Sequence, residues 1–169
     1  MFETTAKIVA ALIAFLAVLL FAPGAQAQGA DDRDALSGLK EVKVAFDIHE
    51  GDGKALLNRL NVIEETRQSL LKQGITPHIV VAFRGPATKL VQTDVDKIKA
   101  EDRPVATQIQ AKLGEMSKSQ GMDSVEQCSV AIRQQGTKAE NVLPEVKVIG
   151  NSWISLMAYQ AKGYAYISP

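Results

Sequence analysis

The chain has 169 residues, and its 19 acidic and 19 basic side chains give a formal net charge of zero. No basic face or stripe stands out, so nucleic acid is not an expected partner. A single cysteine, Cys128, excludes an internal disulfide, and with only two histidines a dedicated metal site is not expected.

The first 27 residues have the layout of an export signal. Residues 8 to 22 form an almost unbroken apolar run, shorter than the roughly 20 residues of a membrane span, and Ala-Gln-Ala at 25 to 27 is typical of a cleavage site. We therefore expect cleavage before Gln28 and a periplasmic mature protein, with membrane attachment only if this segment is retained. Residues 28 to 38 predict a disordered lead-in to one domain over residues 39 to 169.

The next residues alternate strand and helix patterns. Apolar residues alternate up to about Ile48, which predicts a first strand. A tight loop follows, and its Asp52 is placed to cap a helix of about twenty residues that ends at Gly74. The loop glycines lack the spacing of a phosphate-binding motif, so no nucleotide or other cofactor is expected. Residues 78 to 83 are a β-branched apolar run, typical of a buried second strand.

The second half continues this alternation. One apolar helix face recurs between residues 105 and 116. Later segments predict a third strand over residues 123 to 127, a short helix over 129 to 135 and a fourth strand over 145 to 149. A helix capped by Asn151 or Ser152 follows, and then a fifth strand over residues 164 to 167. Five strands separated by helices indicate a parallel sheet covered on both faces, an α/β/α sandwich.

Cys128 lies at the junction of the third strand and the short helix. This position would expose a thiol at a helix N-terminus, where a lowered pKa makes sulfur a nucleophile. The alternative is an inert, buried cysteine, because free cysteines are among the most buried residue types. The position alone favours neither interpretation.

Other polar residues follow the strands and are expected at the same sheet edge, where ligands bind in open parallel sheets. His49 and Asp52 follow the first strand, Arg84 the second and Asn151 the fourth. The ordinary interpretations are a loop histidine for His49, a helix cap for Asp52 and a solvated loop charge for Arg84. Trp153 and Tyr159 are expected to pack in the core or in a subunit interface.

Several segments, together with the strand-ending Cys128, resemble the DsrE/DsrF-like family of sulfur-relay proteins. They are V-V-A-F-R-G-P-A-T-K-L at 80 to 90, L-P-E-V-K-V-I at 143 to 149 and Q-A-K-G-Y-A-Y-I-S-P at 160 to 169. The resemblance implies a five-stranded parallel sheet of order 4-3-2-1-5 and assembly into homo-oligomers. It also implies sulfur carried as a persulfide on the cysteine that matches Cys128. The known relays of this family are cytoplasmic, so an export signal makes a role in transfer-RNA thiolation unexpected here.

With that strand order, Cys128 would lie between the ends of the second and fourth strands. Arg84 would then be its nearest cation and, with Asn151, a candidate support for a thiolate or a bound anion. The expected function is a periplasmic sulfur carrier or sulfurtransferase-like protein. It would pass sulfane sulfur from Cys128 to the thiol of a partner protein or a small molecule. The alternative is a non-catalytic binding or assembly module that has kept the fold.

Overall fold

The computed structural model describes residues 31 to 169, in which strands and helices alternate along the chain. The strands are β1 (Glu41–Ile48), β2 (Thr76–Phe83), β3 (Met122–Cys128), β4 (Lys147–Ile149) and β5 (Ala165–Ile167). The α-helices are α1 (Gly53–Lys72), α2 (Arg103–Met116), α3 (Ser129–Gln135) and α4 (Ser152–Ala161). Short 3-10 turns occur at Gly85–Lys89, Val95–Lys97, Ala100–Asp102 and Ala139–Asn141.

The five strands form one parallel sheet in the order β4-β3-β2-β1-β5. Helices lie on both faces, so the prediction of an α/β/α sandwich is confirmed. The order places the carboxyl end of β3 between those of β2 and β4. Residues that follow these three strands therefore meet at one edge of the sheet.

The larger core lies between the sheet and helices α1 and α2. The apolar face predicted for α2 is buried there, with Val105, Ile109, Leu113 and Met116 all in the core. On the other face, α4 places Leu156 over the small side chains of β1 and β2, which are Ala45, Val80 and Ala82.

Local signals account for most of the helix boundaries. The Asp52 carboxylate accepts a hydrogen bond from the Ala55 N–H at 2.7 Å, which confirms the predicted cap of α1. Gly74 follows this helix with φ of +78°, the left-handed conformation that glycine adopts without strain. The short helix over residues 129 to 135 has the predicted bounds.

The fourth strand is shorter than predicted. It begins at Lys147 and not at Glu145, because a turn around Pro144 is closed by the Val146 N–H, which donates to the Leu143 carbonyl at 2.9 Å. Val146 is therefore buried in the larger core without joining the strand ladder. The alternation of apolar residues predicted a strand here, but at Val146 it reflects burial in the core and not pairing with a neighbouring strand.

The N-terminal predictions fall largely outside the described residues. These include the export signal over residues 1 to 27 and the start of the lead-in at 28 to 30. Residues 34 to 38 form hydrogen-bonded turns at the start of one compact unit, Asp34–Pro169. Among residues 31 to 169, no helix is both long and apolar enough to cross a membrane.

Candidate functional site around Cys128

Strand β3 carries Cys128 to the carboxyl edge of the sheet, where it becomes the N-cap residue of α3. Its backbone is extended, with φ of −71° and ψ of 119°, which is usual for a residue that ends a strand and precedes a helix. Its side chain lies on the face of the sheet that α4 covers, because Sγ accepts a hydrogen bond from the first residue of that helix.

Cys128 lies at a cavity of about 200 Å³. The lining residues come from the ends of β2, β3 and β4 and from the helices that follow them: Arg84, Gly85, Cys128, Val130, Ala131, Gln134, Asn151, Ser152 and Trp153. The structure thus brings together three of the residues predicted from the sequence, Cys128, Arg84 and Asn151. Among residues 31 to 169, no carboxylate lines the cavity.

The thiol is far less exposed than its position at a helix start indicates. Cys128 is 3% exposed, so of the two alternatives for its accessibility the structure has the buried one. The reason is tertiary: the start of α4 lies against the end of β3, and Ser152 is itself buried next to the sulfur. Reagents would therefore reach the sulfur through the cavity.

Two opposing effects set the charge state of the sulfur. Burial raises the pKa of the Cys128 thiol, because a thiolate loses solvation in an apolar environment. The hydroxyl and N–H of Ser152 and the N–H groups of Ala131 and Val130 act the other way, and the net pKa lies below its ordinary value. The Ser152 N–H lies 3.3 Å from Sγ.

Arg84 lines the same cavity, but its guanidinium is already paired. Nε and Nη2 donate to the two carboxylate oxygens of Asp47, each at 2.7 Å, and the Tyr166 hydroxyl donates to the same carboxylate at 2.7 Å. Hydrogen bonding to Asp47 raises the pKa of Arg84, which secures its charge. Because Asp47 balances that charge, support of a thiolate or an anion by Arg84 stays a prediction.

Asn151 and Trp153 form the rim of the cavity at the start of α4. The Asn151 Oδ1 atom accepts from the Trp153 N–H at 3.0 Å, so Asn151 caps the helix as predicted and lines the cavity as well. Trp153 is 65% exposed and lies outside the core of the single chain. Tyr159 packs against the smaller core.

The structure does not bring His49 and Asp52 to this cavity. They follow β1, which β2 separates from β3 in the sheet. Asp52 lines a different cavity of about 210 Å³ together with Asp102 and Lys89, and His49 is exposed beside Gly85. Within residues 31 to 169, no three His, Cys, Asp or Glu side chains are grouped to hold a metal ion.

Three polar residues that contact the Cys128 sulfur, Arg84 or helix α4 were not identified from the sequence. They are Ser152 as a sulfur partner, Asp47 as the partner of Arg84, and Glu126 under α4. Glu126 precedes Cys128 by two positions, so the strand period places both on one face, and this signal was available. The role of Ser152 depends on the rotation of α4 over β3, which no local sequence pattern predicts.

The comparisons with known proteins support the fold. No family model matches the chain. It is 29% identical over 126 residues to an uncharacterized protein of Aquifex aeolicus (strain VF5), covering 75% of this chain and 55% of that protein. The chain therefore spans about half the length of this relative. A solved structure, a protein of unknown function from Methanobacterium thermoautotrophicum, matches with a TM-score of 0.59 and 20% identity over 76% of this chain and 99% of that one.

Proposed function

We propose that this protein carries sulfane sulfur as a persulfide on Cys128 and passes it to a partner thiol. The observation that carries the proposal is the sulfur at the cavity, with a hydrogen bond from the Ser152 N–H and a lowered pKa. A thiolate is the nucleophilic form of cysteine, so this site favours attack on a sulfur donor. The resemblance to the DsrE/DsrF-like family supports the same chemistry.

The transfer is two exchange reactions with no net oxidation. The Cys128 thiolate attacks the outer sulfur of a donor persulfide or polysulfide; a new S–S bond forms, the donor S–S bond breaks, and the donor thiolate leaves with the electron pair. An acceptor thiolate then attacks the outer sulfur of the Cys128 persulfide and releases the Cys128 thiolate. The N–H groups that favour the thiolate also stabilise Cys128 as the leaving group in the second step.

The proposed location is the periplasm, on the basis of the export-signal pattern that ends at Ala27. An oxidising compartment suits a persulfide carrier only if its thiol is shielded from random disulfide formation. The low exposure of Cys128 provides such shielding. Its partners would be a sulfur-donating or sulfur-accepting protein or a small thiol.

Mass spectrometry of the protein after exposure to polysulfide tests the proposal. We expect added sulfur mass on the peptide that contains Cys128, removed completely by dithiothreitol, because an exchange reaction with excess thiol reverses the loading. The Cys128→Ser variant is the matched control and should gain no mass. Loading elsewhere in the chain, or none on the folded protein, would overturn the carrier function.

A second candidate function is a non-catalytic binding or assembly module, and the burial of Cys128 favours it. A cysteine that is 3% exposed is also what an inert core residue looks like. In that case exposed apolar residues of α4, including Ile154 and Met157, would be the functional surface. A thiol that reacts only in the unfolded protein would support this module.

A further inference from the structure

We infer that Glu126 is a positioning residue for Cys128: its carboxylate fixes α4 over β3 so that the Ser152 N–H donates to the sulfur. The inference rests on the proposed function and extends it to a residue that lies outside the cavity lining. Glu126 is 2% exposed, and none of the cations in residues 31 to 169 pairs with it.

Three hydroxyls take the place of a cation around Glu126. Oε2 accepts from the Ser155 hydroxyl at 2.6 Å, and Oε1 accepts from the Tyr159 hydroxyl at 2.8 Å and from the Ser124 hydroxyl at 3.0 Å. Hydrogen bonds to a carboxylate are short and strong compared with neutral ones. Burial and the hydrogen bond to Glu126 raise the pKa of Tyr159 to about 12, so this tyrosine remains a donor at neutral pH.

Two of these hydroxyls belong to α4 and one does not. Ser155 and Tyr159 are four positions apart, which places them on one face of the helix, and Ser152 lies on that face one turn earlier. Ser124 belongs to β3. Glu126 thus joins α4 to β3 through Ser155 and Tyr159, while its contact with Ser124 stays within the strand.

The spacing of the contacts makes the connection specific. On β3, Glu126 and Cys128 are two residues apart on one face, a rise of about 6.6 Å. On α4, Ser152 precedes Ser155 by three residues, a rise of about 4.5 Å. The two pairs of contacts, Glu126 with Ser155 and Cys128 with Ser152, therefore fix the rotation and the axial position of the start of α4.

The test is the pH dependence of Cys128 alkylation by iodoacetamide in the full-length mature protein, without any sulfur donor. The Ser155→Ala/Tyr159→Phe double variant removes both hydroxyls that α4 gives to Glu126. We expect the thiol pKa to rise and the alkylation rate at neutral pH to fall by roughly threefold to tenfold, the effect of a weakened hydrogen bond to a charged group. Each single variant should shift the profile in the same direction by less.

Ser124→Ala is the matched control. It removes a hydroxyl from the same carboxylate and leaves in place both α4 hydroxyls that donate to Glu126, so the profile should stay within about twofold of wild type. A Ser124→Ala shift as large as that of the double variant, or no shift in the double and single variants, would overturn the inference. Sulfur loading is measured separately, so a wild-type protein that takes up no sulfur overturns the proposed function and leaves the positioning of Cys128 by Glu126 standing.

Discussion

The sulfur of Cys128 combines low exposure with a hydrogen-bonded environment that favours the thiolate. A thiol in an apolar pocket is ordinarily less acidic, because burial penalises the charged form. Here the groups at the starts of two helices outweigh that penalty. The consequence is a buried cysteine whose thiol pKa lies below its ordinary value, unlike that of an inert core residue, and this difference can be measured.

Stability should depend on pH through this thiol. Its pKa in the folded protein lies below that of the unfolded chain, so the unfolded state binds more protons between the two values. The contribution of Cys128 is therefore fully present above the pKa of the unfolded chain and is lost as the pH falls through the folded pKa. Urea unfolding of wild type and Cys128→Ser across this range measures it. A difference between the two proteins that falls with rising pH would contradict the assignment.

Removing the Arg84 side chain should destabilise the fold. Asp47 is 1% exposed and, within the described part of the chain, would keep only the Tyr166 hydroxyl as a side-chain partner, so we expect Arg84→Ala to lose roughly 2 to 3 kcal/mol. Arg59→Ala is the control, because Arg59 pairs with Glu50 nearer the surface and such pairs contribute about 1 kcal/mol or less. Chemical denaturation measures the free energy of unfolding of each variant. Equal losses for Arg84→Ala and Arg59→Ala would show that the Arg84–Asp47 pair stabilises the fold no more than a pair nearer the surface.

Helices α1 and α2 approach each other at a glycine. A Cβ atom on Gly53 would lie 2.4 Å from Val105 Cγ1 and 2.7 Å from Asp102 Oδ1, and the Gly53 N–H donates to that oxygen at 3.0 Å. We expect Gly53→Ala to cost about 1 to 3 kcal/mol through overpacking. Thermal or urea unfolding measures the loss.

Gly114 provides the matched control for Gly53. It lies inside α2, and a Cβ there would be 3.5 Å from Glu145 Oε1, an ordinary contact. Gly114→Ala should therefore stabilise the protein by about 0.5 to 1 kcal/mol, because alanine loses less backbone entropy in a helix. A Gly53→Ala protein as stable as Gly114→Ala would contradict the close packing of α1 on α2.

Much of this architecture follows from local sequence signals, because periodicity and caps act within a few residues. The helix that begins after Asp52, the apolar face from Val105 to Met116 and the helix after Cys128 were all predictable. The start of β4 was not, because the turn at Pro144 buries Val146 away from the strand ladder. Apolar alternation predicts burial, and pairing depends on neighbours distant in the chain.

The sequence predicted the residues of the candidate site only where the strand order determines which of them lie at the cavity. Arg84, Cys128 and Asn151 follow adjacent strands, so the strand order alone brings them to one cavity. His49 and Asp52 follow β1, so the same order keeps them away. The contacts of Ser152 and Glu126 depend on how α4 is rotated over β3, which only tertiary packing sets.

The protein carries exposed apolar side chains on α4 that a single chain leaves without cover. Trp153, Ile154 and Met157 are each more than 60% exposed on this ten-residue helix. Clustered apolar residues at a surface are typical of an interface, and we expect a homo-oligomer built from dimers or trimers. Because Trp153 also lines the cavity, such an interface would lie beside the Cys128 site.

Light scattering at tens of micromolar, on the order of working protein concentrations, tests this assembly. Met157→Glu should shift the mass toward the monomer, because burial of an unpaired charge in an interface is costly. Val62→Glu is the control, since Val62 is 52% exposed on α1 and its replacement should leave the mass unchanged. A strictly monomeric wild-type protein would refute the prediction.

Reactivity of the folded thiol tests the carrier function most directly. The measurement is the rate of iodoacetamide alkylation of Cys128 against pH, in the native protein and in the same protein unfolded in urea. We predict that the native thiol reacts, with a midpoint pH below that of the same protein unfolded in urea. A cysteine that stays unmodified in the folded protein and reacts only after unfolding would contradict it and favour a packing role.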